Sequence, residues 1–93
     1  MQPISYHFKP GYSIEDIAGQ KVLMAPAIGD IDYSKMLVLS ESAAFVAQRL
    51  MEETLSFDEL VNSLLQEYEA DEAVVRQELA GLLKQLRQLN VLV

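Results

Sequence analysis

Met36-Leu37-Val38-Leu39-Ser40-Glu41-Ser42-Ala43-Ala44-Phe45 is where the chain changes its apolar period, from a strand's repeat of about two to a helix's repeat of about 3.6. Met36 to Leu39 is an unbroken apolar run. Ser40 can accept a hydrogen bond from the first free amides of a helix, and Glu41 favours the positive end of its dipole. Ala43, Val46, Ala47, Leu50 and Met51 then form one stripe. The junction separates a strand-bearing first part from a helical remainder.

Upstream of it the chain is broken by Pro3, Pro10, Pro26, Gly11, Gly19 and Gly29, the punctuation of short strands and turns. Tyr12 to Ile17 reads as a first strand, Ala18-Gly19-Gln20 as a turn, and Val22 to Met24 as a second strand, the two forming a hairpin. A loop from Pro26 to Ser34, carrying Gly29, Asp30 and Asp32, leads to the third strand at Met36 to Leu39.

Downstream, Ser56 and Glu59 have capping-box spacing, with Leu55 and Leu60 placed for a hydrophobic staple. Phe57, Leu60, Val61, Leu64, Leu65 and Tyr68 predict a strongly amphipathic second helix. A third helix is expected from Asp71 to about Leu89, with Val75, Leu79, Leu82, Leu86 and Leu89 as a coiled-coil-like seam that Val74 and Leu83 widen. Asn90 suits the left-handed conformation at a helix end. Gly81 costs about 1 kcal/mol of helix propensity relative to Ala, which suggests a close backbone approach there. The expected architecture is α+β: three short N-terminal strands followed by a three-helix bundle. Residues 1–93 read as one domain, with 1–10 as a flexible or edge extension.

Length and charge restrict the function. A chain of 93 residues buries roughly two thirds of its unfolded surface, enough for one modest core and not for a deep enclosed cavity as well. Fourteen acids against seven lysines and arginines give a net charge of −7, and the cations are scattered singly, so no basic footprint for nucleic acid exists. The apolar fraction of 51% excludes disorder. No run approaches the roughly 20 apolar residues of a membrane span, and the N-terminus lacks a signal-peptide pattern. With no cysteine the expected location is the cytoplasm.

No catalytic constellation is visible. His7 is the only histidine, so a metal site would need carboxylates almost alone. The pairs Glu15-Asp16, Glu52-Glu53, Asp58-Glu59 and Asp71-Glu72 sit beside turns or in helix first turns, where solvation and helix dipoles account for them. The serines have no nucleophile elbow, and the glycines are too dispersed for a phosphate loop. The expectation is a non-enzymatic binding module with no catalytic residues, metal or cofactor.

Its surface is to be sought where apolar residues exceed what a core needs. Met36 to Leu39 is apolar on both faces, although a half-covered sheet should alternate. An open apolar edge is an aggregation hazard, or a place where a peptide adds as a further strand. The doublets Val74-Val75 and Leu82-Leu83 broaden the last helix in the same way. Ordinary core, or a homodimer seam, explains both features equally well at this point.

The order of these segments resembles the PqqD-like family. The resemblance is carried by Gly11 to Pro26 with its Ile17-Ala18-Gly19 turn and Val22-Leu23 strand, by the junction at Met36 to Phe45, and by Phe57-Asp58-Glu59-Leu60-Val61 through Glu67-Tyr68. It runs from about Tyr6 to Val93. Ser40 stands where the family usually has Asn, and Asn90-Val91 where it usually has Gly-Leu; each replacement can still cap a helix. The resemblance implies a winged helix-turn-helix-like domain that acts as a recognition element for ribosomally made, post-translationally modified peptides. Such a domain binds the leader of a precursor peptide and presents it to a modifying enzyme, often a radical S-adenosylmethionine protein.

By position, the implied peptide-binding residues are Lys35, Met36, Leu37 and Val38 on the strand, with Val75, Leu79, Leu82 and Leu83 on the helix. Two alternatives compete. A winged-helix DNA-binding regulator needs a basic recognition helix, and the helix after Ser56 carries Asp58, Glu59 and Glu67 with no Lys or Arg. A structural homo-oligomerisation domain would use the Val75 to Leu89 seam.

Overall fold

A computed structural model describes residues 4–25 and 37–93. Strands β1 (Ser5–Tyr6), β2 (Ser13–Ile17), β3 (Gln20–Met24) and β4 (Leu37–Leu39) precede α1 (Glu41–Glu52), β5 (Leu55–Ser56), α2 (Phe57–Glu67) and α3 (Glu72–Gln88). The sheet β2-β3-β4 is antiparallel throughout, and β1 pairs with β5 in a separate ribbon. The α+β expectation stands. The ribbon is an addition, because two-residue strands carry no readable period.

The β2-β3 hairpin closes on Ala18 and Gly19, both at positive φ (53° and 82°), with Ile17 opposite Gln20. Positive φ at both central residues is what a type I′ turn requires, and that turn matches the twist of the flanking strands. Leu23 pairs with Leu37 and Val22 with Val38, so Leu37 and Leu39 share the face of Leu23, towards the core. Val38 points from the other face and is 57% exposed.

Each helix starts where the side-chain caps dictate. Ser40 Oγ accepts from the Ala43 amide, and Asp71 accepts from the Ala73 amide. Ser56 and Glu59 complete a reciprocal capping box, with bonds of 3.2 and 2.9 Å. Ser56→Ala is expected to remove about 1 kcal/mol of stability, measured by urea unfolding. Asn90, at φ 60°, ends α3 in the left-handed region.

The core draws Ala47 and Leu50 from α1, Leu60 and Val61 from α2, Leu79 and Leu86 from α3, and Leu23 from the sheet. Phe8 joins them at 1% exposure. The Phe8 amide donates to the Leu50 carbonyl at 3.0 Å, and Phe8 bridges Leu92 in the C-terminal tail. The neighbouring bonds Lys9 N–H to Val91 O and Val93 N–H to His7 O bind the two ends of the chain together. Among the described residues no polar side chain is buried.

Two details of α3 differ from expectation. The core takes Val75, Leu79, Leu83 and Leu86, whereas Leu82 is half-buried and Val74 and Leu89 are exposed. Packing therefore follows the 3.6-residue helical stripe and not a supercoiled seam. Gly81 makes no close approach, since a Cβ there would meet nothing within 4 Å. Gly81→Ala is accordingly expected to stabilise the protein by about 0.4–1 kcal/mol, read as a higher urea midpoint at unchanged slope.

Candidate functional site

β4 is an edge strand: β3 lies on one side, and among the described residues no strand lies on the other. Alternate backbone N–H and C=O groups along that edge lack a ladder partner. Beside the edge opens a groove of about 490 Å³. Leu37, Val38 and Leu39 form its strand wall, and Val75, Glu78, Leu79, Leu82 and Gln85 form its helical wall. Ala43 and Val46 of α1, Leu64 of α2 and Tyr68 line it further. The Tyr68 ring meets Phe45 edge-on at 5.9 Å, which fixes its orientation.

Five of the eight residues singled out from the sequence line this groove: Leu37, Val38, Val75, Leu79 and Leu82. Lys35 and Met36 lie outside the described residues. Leu83 lies away from the groove; it is 3% exposed and lines a second cavity on the far side of α3. The seam pattern could not separate Leu82 from Leu83, because both extend the apolar stripe. Glu78, Gln85 and Tyr68 were not anticipated. Glu78 and Gln85 could have been found once Leu82 was placed, since they stand four residues before it and three after it on one helical face.

The lining of the groove is mainly apolar. Glu78 is the only charged residue among the described residues that line it. Ser40 is engaged as a helix cap, and its hydroxyl lies 3.4 Å from that of Ser42. No group of three or more His, Asp or Glu among the described residues could hold a metal ion. Arg76 lies on another face of α3. Its hydrogen bond to Asp58 holds its pKa above the usual arginine value, with Glu72 adding to the effect.

An α+β, winged helix-turn-helix-like domain with an open strand edge beside an apolar helical groove is the class that the fold and the site define. The chain belongs to the PqqD family, described as coenzyme PQQ synthesis protein D, whose profile matches residues 20–92. Two solved structures share its fold. One is described as lasso peptide synthetase B1 complexed with the leader peptide, with a TM-score of 0.68 and 22% identity over 95% of this chain and 96% of that one. The other is TbiB1 in complex with the TbiA(beta) leader peptide, with a TM-score of 0.68 and 20% identity over 92% and 93% of the two chains. No curated protein matches the sequence.

Proposed function

We propose that residues 1–93 form a single recognition domain without catalysis of its own. It binds the leader of a ribosomally made precursor peptide along β4 and presents it to a modifying enzyme such as a radical S-adenosylmethionine protein. The observation that carries this reading is the open edge of β4, with Val38 exposed, beside a groove walled by α3. An extended peptide gains backbone hydrogen bonds at such an edge, and its alternate side chains enter the groove, which supplies selection. Family membership supports the reading, as do two neighbours of the same fold described with leader peptides bound.

Enzymatic function has little to work with, since among the described residues the groove holds one carboxylate and two serines, one of them a helix cap. A DNA-binding role fits poorly because α2 carries Asp58, Glu59 and Glu67 and no cation. The absence of cysteine suits work in the cytoplasm, where the enzyme partner would act. Among the described residues no helix is long and apolar enough to cross a membrane.

The test is a titration of 15N-labelled protein with its cognate precursor peptide. Amide signals of Leu37 to Leu39 and of Glu78 to Gln85 are expected to move. Movement confined to other regions, or none, overturns the proposal. Sedimentation showing a tight dimer that buries β4 would favour a homo-oligomerisation domain instead.

A further inference from the structure

On the face of α3 turned away from the leader groove lies a second cavity, of about 470 Å³. Tyr6 of β1 and Phe57 of α2 flank it, Leu83 forms part of its floor, and Lys84 and Arg87 stand at its rim. Its charged lining residues are both cations, in a chain whose net charge is −7. Neither Lys84 nor Arg87 makes an ion pair among the described residues, unlike Lys21, Arg49 and Arg76. The nearby acids Asp58 and Glu72 are both taken up by Arg76, at 3.0 and 3.6 Å. Arg76 in turn lies over the Phe57 ring.

Arg87 is held in place, with its guanidinium 5.3 Å from the centre of the Tyr6 ring. Stacking of this kind leaves the planar N–H fork free to receive a carboxylate and limits the side-chain entropy lost when one binds. Phe57 and Tyr6 are half-buried, so each presents part of a ring to the cavity. Positions 80, 84 and 87 lie about 200° around the helix from 78, 82 and 85. A partner here does not obstruct a peptide on β4.

We propose that this cavity docks an acidic protein segment with an aromatic or aliphatic anchor, its carboxylates on Lys84 and Arg87 and its anchor between Tyr6 and Phe57. Resting on the leader-binding reading above, the segment belongs to the modifying enzyme that receives the leader. One helix then holds substrate peptide on one face and enzyme on the other.

A displayed library of random short peptides, panned in parallel on the wild type, on Lys84→Glu/Arg87→Glu and on Val38→Asp, separates the two readings. All three positions are exposed, and circular dichroism confirms that each variant is folded. The expected result is a class rich in Asp and Glu around an aromatic or aliphatic residue. Its enrichment falls about tenfold or more on the double charge reversal and in high salt, and is unchanged on Val38→Asp. Enrichment of Val38-dependent peptides alone overturns the cavity proposal and leaves leader binding standing. Enrichment of the acidic class alone sustains the cavity and removes the leader reading. If neither class enriches, both fail. A duplex DNA shift lost on the double reversal reassigns the patch to nucleic acid and overturns the proposal.

Discussion

Leu82→Asp is expected to weaken leader binding by about 100-fold, or roughly 2.7 kcal/mol, measured by calorimetry with the precursor peptide. Leu82 is half-buried on the groove wall, so in the free protein an aspartate there keeps much of its hydration. A bound peptide would cover it. Desolvating an unpaired carboxylate costs several kcal/mol, and Glu78 one turn earlier adds a like charge. The neighbouring substitution gives the contrast. Leu83→Ala leaves a void in the core and should cost about 2–5 kcal/mol of stability, yet the folded protein should bind the peptide at nearly wild-type affinity. Equal affinity losses at 82 and 83 would show that the groove wall has been misplaced.

Phe8→Ala has the largest expected effect on stability, about 3–5 kcal/mol, in a domain whose total is of the order of 5–15 kcal/mol. Phe8 is 1% exposed, packs edge-on against Tyr12 at 5.8 Å, and sits between the end of α1 and the C-terminal tail. Its removal empties a ring-sized space in a region whose backbone is fixed by bonds to Leu50 and Val91. The urea midpoint should fall accordingly. Ile4→Ala is the control: Ile4 is 62% exposed, and its truncation should change stability by no more than about 0.5 kcal/mol. Similar small effects at both positions would mean that the segment before β2 contributes little to the fold.

The two residues also show how far the amino-acid order can be read. The helices were legible because their caps and stripes are local: Ser40, Ser56 and Asp71 each bond an amide two or three residues ahead, whatever the rest of the chain does. The hairpin was legible because Ala18-Gly19 needs only its own positive φ and the strands on either side. Phe8 was not legible as core, because its burial depends on Leu50 and Leu92, more than 40 and 80 residues away. The β1-β5 ribbon escaped for the same reason, since Tyr6 and Leu55 are joined only by tertiary pairing.

The candidate site divides along the same line. Local pattern placed apolar residues on the third strand and the last helix and offered no catalytic constellation. It could not orient α3. Leu82 and Leu83 are adjacent and chemically identical, and periodicity admits both to one broad stripe. Only the packing of α3 against its neighbours turns Leu83 inward and leaves Leu82 at the groove beside β4. The same rotation brings Lys84 and Arg87 to Tyr6 and Phe57. The helices and the β2-β3 hairpin follow from hydrogen bonds and dihedral preferences between near neighbours. The two opposed faces of one helix follow from contacts that exist only once the chain has closed on itself.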